Sequence, residues 1–141
     1  MTVPTALSGI ASDFNTIPAN ERLNLLLEFS GELPELPERF AEHPELLEKV
    51  VECQSPISII VEIVDGKVSI HASAPPEAPT TRGFASILIQ GLEGSSAEDV
   101  MAVPSDFPNS LGLTALVSPL RLRGMGGMLA RIKRQVAEDR G

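Results

Sequence analysis

The sequence has no tryptophan, no tyrosine, only one cysteine and only two histidines in 141 residues. Each scarcity excludes something. Without the large amphipathic aromatics the core must be aliphatic, with five Phe and four Met filling its gaps. A single thiol cannot close an internal disulfide or supply a multi-cysteine metal site, although it can serve as a nucleophile or carry one atom of sulfur. No apolar run approaches the roughly 20 residues that cross a bilayer. The stretch Met1–Phe14 lacks a basic region followed by an apolar one, so no secretory signal is expected. Together these absences point to the cytoplasm, where thiols stay reduced.

What is present fits one folded domain spanning residues 1–141, with the ends, 1–5 and 138–141, expected to be disordered. Hydrophobic residues make up 43% of the chain, too many for a disordered protein. The net charge of −8 is unevenly spread. Residues 1–117 hold 17 acids and 5 bases, a balance of −12, whereas residues 118–141 hold 2 acids and 6 bases, a balance of +4. An acidic body disfavours nucleic acid, whose binding requires many Lys and Arg on phosphates. The basic end has no aromatic residue for base stacking and reads as a solvated helix face.

Hydrophobic periodicity predicts a helix over Ala19–Leu33 with Leu23, Leu26, Leu27 and Ser30 on one face, widened by Leu25 and Phe29. Gly31 and Pro34 supply its stop, and Leu33-Pro34-Glu35-Leu36-Pro37-Glu38 is an extended connection enforced by two prolines. Eight Glu against Arg39 and Lys49 between Glu28 and Glu52 form an acidic surface that could steer a basic partner. His43-Pro44-Glu45 predicts a short helix through Leu46, Leu47 and Val50. The strongest strand signals are Ile57–Val64 and Lys67–Ser73, joined by the hairpin dipeptide Asp65-Gly66. Ile57, Ile59, Val61 and Ile63 share one face of the first strand, and Val68 and Ile70 one face of the second. A helix over Thr80–Leu92 presents Phe84, Ile87, Leu88 and Gly91 on one side. Ser96 caps a short helix that ends before Pro104. Ser118-Pro119 opens the last helix, whose apolar stripe is Met125, Met128, Leu129 and Ile132. The order of helices, hairpin and helices is that of an α+β domain with a small antiparallel sheet flanked by helices.

Cys53 lies in Glu52-Cys53-Gln54-Ser55-Pro56, between the predicted short helix and the first strand. A lone cysteine is most often a small buried hydrophobe, and that reading stands beside any functional one. Pro56 keeps Ser55 out of the helical region, so the helix must end near the cysteine. The negative end of its dipole and the charge of Glu52 then both oppose thiolate formation. Such a thiol suits activation by a partner. A Cys53 pairing with His43 or His71 would be the hydrolase alternative, but nothing in their spacing requires it, and no ligand-pair spacing supports a metal site from the three. The cluster Gly124-Met125-Gly126-Gly127 follows basic residues rather than a strand and lacks a phosphate-loop ending, so it reads as close helix packing. Arg121 and Arg123 sit near the start of the last helix, unfavourably for its dipole, which suggests charges used to grip a carboxylate or dock a partner.

Taken in order and spacing, four segments resemble the SufE-type sulfur acceptors, partners of cysteine desulfurases in iron–sulfur cluster assembly. They are Leu33-Pro34-Glu35-Leu36-Pro37, Cys53-Gln54-Ser55 before a strand, Arg82-Gly83 opening a helix, and Ser118-Pro119-Leu120-Arg121-Leu122-Arg123-Gly124-Met125. The likeness runs from about Glu21 to Gln135. It implies a compact α+β domain similar to the iron–sulfur scaffold proteins. It also implies that Cys53 receives sulfur as a persulfide from a pyridoxal-phosphate-dependent desulfurase and passes it on to a scaffold complex. Gln54 and Ser55 would support the cysteine loop, Arg121 would engage the desulfurase, and Glu77 matches an acidic position near that loop. The pyridoxal phosphate belongs to the partner, and this chain is expected to hold no cofactor and no metal. A monomer or weak homodimer is expected.

Three positions depart from the family pattern: Glu52 stands where a glycine is usual, Ser58 where a tryptophan is common, and Leu116 where a histidine is frequent. The first bears on loop flexibility and thiol acidity, the others on packing and docking. The alternative role is a non-catalytic adapter or regulator of a desulfurase, with Cys53 merely packed inside, or an acceptor serving another sulfur pathway. A cluster scaffold would need more ligands than one cysteine provides.

Overall fold

The computed structural model describes residues 3–53 and 55–139. Among the described residues six helices and three strands follow in the order α1 (Thr5–Thr16), α2 (Ala19–Gly31), α3 (Glu38–Ala41), β1 (Glu48–Lys49), β2 (Ser58–Val64), β3 (Lys67–Ser73), α4 (Pro79–Leu92), α5 (Ala97–Met101) and α6 (Pro119–Asp139). Short 3-10 turns occur at Pro44–Leu46 and Phe107–Leu111. The first helix therefore starts and the last one ends inside the two end stretches expected to be disordered.

The hairpin of β2 and β3 forms as its sequence dictates. Asp65 and Gly66 both take positive φ, 53° and 77°, which matches the turn twist to the strands. Ile59 pairs with Ala72, Val61 with Ile70 and Ile63 with Val68, so one face of the sheet is continuously apolar. That face packs on α4 and α6, while α1 and α2 cover the far side of α4. Sandwiched in this way, α4 is buried almost all round rather than on the single stripe its periodicity suggests. The stripe of α6 is as expected: Met125, Met128, Leu129 and Ile132 are all buried.

Glycine permits the closest helix contacts. A Cβ on Gly83 would stand 2.6 Å from Leu26 Cδ1 and 2.7 Å from Leu26 O, so α2 lies directly on α4 there. The approach centres the buried face of α2 on Leu26 and Ser30 and turns Leu23 and Leu27 outward, 42% and 49% exposed, contrary to the predicted stripe. Gly91 takes Leu7 of α1 in the same manner, with Leu7 Cβ 2.9 Å from the added carbon. Helix α1 was not legible as an element, although fully buried Leu7 and Phe14 recur at two-turn spacing.

The segment His43–Val50 differs most from expectation. Instead of a helix it makes the 3-10 turn at Pro44–Leu46 and then β1, with Glu48 opposite Ile59 and Lys49 opposite Ser58. Val50 N donates to Ile57 O at 2.9 Å, which closes a loop over residues 51–56. The backbone donors of this stretch find partners on β2, and that pairing outweighs a short local helix. The sheet thus has three antiparallel strands in the order β1-β2-β3. Where β1 runs out, α6 finishes the outer edge of β2: Val61 N donates to Gln135 Oε1 at 2.8 Å and Ile63 N to Asp139 Oδ2 at 3.2 Å.

Candidate functional site

Cys53 sits in the loop between β1 and β2, not at the end of a helix. Its N–H donates to Val50 O at 3.2 Å, and its side chain is half-buried. The loop lies down on one face of α6. A Cβ on Gly124 would come within 2.9 Å of Cys53 Sγ, and one on Gly127 within 2.8 Å of Glu52 Cδ. These two glycines, three residues apart and so on one helix face, form the bed of the cysteine loop. Gly126, between them in sequence, has nothing within 4 Å of its would-be Cβ. Two members of the glycine cluster therefore serve close packing, as their context implied.

A small cleft of about 40 Å³ opens beside the thiol, lined by Cys53, Ser55, Thr80, Thr81, Phe84, Leu120, Arg121, Gly124 and Met128. The fold thus brings together three of the residues expected to act in one place: Cys53, Ser55 and Arg121. Glu77 lies on an exposed turn just before α4 and does not line the cleft. Gln54 falls outside the described residues. Ser118 Oγ accepts from Arg121 N at 3.2 Å, so the serine caps α6 where Arg121 begins to project. Arg121 and Arg123 are exposed and make no ion pair among the described residues. Leu120 at the cleft and Val51, two residues before Cys53, expose apolar side chains, 39% and 73%.

The other bases of α6 are not a solvated face. Arg131 Nη1 lies 2.6 Å from Glu52 Oε1 and Arg131 Nε 3.3 Å from Glu48 Oε2, while Arg134 pairs with both Glu48 and Glu138. The contacts of Arg131 are ion pairs more than aligned hydrogen bonds, since neither Glu52 Oε1 nor Arg131 Nε meets hydrogen-bond angles. The guanidinium nevertheless holds the Glu52 carboxyl below the usual carboxylate range. Part of the acidic stretch is thus matched to the basic helix inside the same molecule.

Burial pushes the Cys53 thiol up to about 11, the charge of Glu52 adds to the rise, and Arg131 opposes it. The expectation of a poorly activated thiol stands, but its main cause is desolvation in the cleft, since no helix ends at the cysteine. Neither histidine lines the cleft: His71 Nε2 is 3.2 Å from Glu62 Oε1 and its ring packs at a tilt against Phe40, and His43 pairs with Glu45. A Cys–His pair is not formed. Among the described residues no group of three His, Cys, Asp or Glu is placed to hold a metal ion. No helix among them is long and apolar enough to cross a membrane.

Sequence reasoning named Glu52 as a departure and Arg121 as a free charge, yet missed Arg131, Thr80 and Thr81. The spacing Gly124-x-x-Gly127-x-x-x-Arg131 places all three on one helix face and was the available signal for the first of these. Nothing local marks the two threonines, which enter the cleft only because α4 packs across α6.

Fold and site together define a small α+β domain that presents one half-buried thiol on a hairpin loop against a glycine-bedded helix. Known proteins resemble this chain in sequence and in fold. The family described as "SufE: Fe-S metabolism associated domain" matches residues 8–136. Two proteins of Mycobacterium tuberculosis strains, each called an uncharacterized SufE-like protein, are 54% identical over 137 residues, covering 96% of this chain and 94% of theirs. A solution structure of a hypothetical protein from Thermus thermophilus has a TM-score of 0.87 at 37% identity and covers 98% of both chains. The chain belongs to the SufE family, whose domain is associated with Fe-S metabolism.

Proposed function

We propose that the protein accepts sulfur on Cys53 from the persulfide of a pyridoxal-phosphate-dependent cysteine desulfurase, stimulates that enzyme, and delivers the sulfur to an iron–sulfur scaffold complex. The observation that carries this reading is the placement of the chain's single thiol on a loop, in one cleft with the exposed Leu120 and Arg121. In the transfer step the Cys53 thiolate attacks the outer sulfur of the partner's persulfide. A new sulfur–sulfur bond forms at Cys53, the partner's own sulfur–sulfur bond breaks, and its cysteine leaves as thiolate. No oxidant is consumed. With a thiol pKa near 11, only about one molecule in ten thousand carries the thiolate at pH 7. Transfer therefore depends on docking, which draws the loop out of its low-dielectric bed and places it at the partner's site. Membership of a family associated with Fe-S metabolism supports the destination of the sulfur.

The raised thiol pKa favours a second reading, an adapter that binds the desulfurase while Cys53 stays packed. Intact mass spectrometry separates the two. Incubation with desulfurase and cysteine should add about 32 Da, removable by a thiol reductant and absent in Cys53→Ser. If the desulfurase binds and is stimulated by Cys53→Ser as by the parent, sulfur acceptance is wrong and the adapter reading holds.

A further inference from the structure

We infer that Glu52 and Arg131 form a latch that holds the cysteine loop down on α6 and so sets how readily Cys53 is presented. They are positioning residues, acting through the loop.

The Arg131 side chain is only 17% exposed, and the Glu52 side chain is 36% exposed. Arg131 is itself fixed from two sides, by Glu48 Oε2 at 3.3 Å and by its own Nη1–H donating to Gly127 O at 3.4 Å. One guanidinium therefore ties the β1 stem, through Glu48, to the loop tip, through Glu52. Because Glu52 is covalently next to Cys53, drawing its carboxylate to α6 also draws the thiol toward Gly124, two turns before Arg131 on the same face. Gly127 is needed for the geometry: the Glu52 side chain crosses α6 where any Cβ would stand 2.8 Å from its Cδ. The latch is thus a contact of charge over a groove in the helix, and opening it frees the residue adjacent to the nucleophile. A partner that offers Glu52 a cation, or Arg131 a carboxylate, would compete for it directly.

This inference deepens the regulation of the site proposed above but is tested without a desulfurase. The probe is iodoacetamide at fixed pH, in which Cys53 Sγ bonds carbon and iodide leaves. Two variants of the full chain oppose simple electrostatics to the latch. Glu52→Gln removes a charge that disfavours the thiolate, so it accelerates alkylation under either account. Arg131→Met removes a charge that favours the thiolate, so by electrostatics alone it slows the reaction. The latch requires the reverse, an acceleration of roughly fivefold, the scale of a part-buried ion pair. It also requires the double variant to be no faster than the faster single one, since one contact is broken once. Unchanged or slower alkylation of Arg131→Met overturns the inference. Should that variant not fold, Arg131→Lys keeps the charge and loses the two-sided grip, and it must accelerate alkylation for the latch to stand. Sulfur uptake from a desulfurase is scored separately: its absence in a parent protein whose variants alkylate as stated would overturn the sulfur-acceptor reading and leave the latch intact.

Discussion

Cys53 Sγ rests where Gly124 lacks a side chain, 2.9 Å from the position a Cβ would take. The contact joins the loop between β1 and β2 to the first turns of α6, residues 71 positions apart in sequence (124 − 53). A side chain at residue 124 would occupy the space the thiol now takes, so this position bears on how deep the thiol lies.

Gly124→Ala should therefore lift the thiol. Alanine gains up to about 1 kcal/mol of helix propensity, which offsets part of the strain at the contact, so net stability should stay within about 1 kcal/mol of the parent. Alkylation of Cys53 should become several-fold faster. A parental rate would mean that Sγ simply shifts within its cleft.

The thiol should report its burial through pH. In the folded protein its alkylation rate should climb about tenfold per pH unit from neutrality, levelling only near pH 11, whereas in denaturant it should level near an ordinary thiol value. The folded state holds the proton more tightly than the unfolded one. The stability this confers is complete below about pH 9 and is lost as pH rises toward about 11. Denaturant unfolding at pH 8 and pH 10.5, parent against Cys53→Ala, isolates the effect from lysine titration. An equal alkaline loss in both proteins would contradict it.

Gly83 and Gly126 should respond in opposite directions to alanine. At Gly83 the new carbon meets Leu26 O at 2.7 Å, backbone that moves only if α2 moves, and the cost should be about 1–3 kcal/mol. At Gly126 the carbon meets nothing within 4 Å, and the helix should gain up to about 1 kcal/mol. Urea midpoints of the two variants compare them directly.

Arg121→Ala should leave stability unchanged within about 0.5 kcal/mol, because the side chain is exposed and unpaired among the described residues. If Arg121 docks the desulfurase, stimulation should fall about tenfold, the scale of one charge-assisted contact. Parental stimulation with Arg121→Ala would remove this residue from the docking surface.

Much of this was written locally. Asp65-Gly66 between two β-branched runs specifies the hairpin, Ser118-Pro119 specifies the start of α6, and the 3.6-residue period specifies α4 and α6, because each depends on residues a few positions apart. The scarcity of cysteine singled out Cys53, and the order of four short segments pointed to the family to which the chain belongs. What the sequence could not decide were the features made by distant pairing. Glu48 and Lys49 became a strand because β2 offered hydrogen-bond partners, and this moved Cys53 from a helix end to a loop tip. Leu23 and Leu27 faced outward because Gly83 admitted α2 at Leu26. The raised pKa of Cys53 came mainly from desolvation against α6, and Arg131 met Glu52 only because that helix lies beneath the loop. Periodicity chooses an element, but burial and charge pairing depend on which surfaces the whole chain brings together.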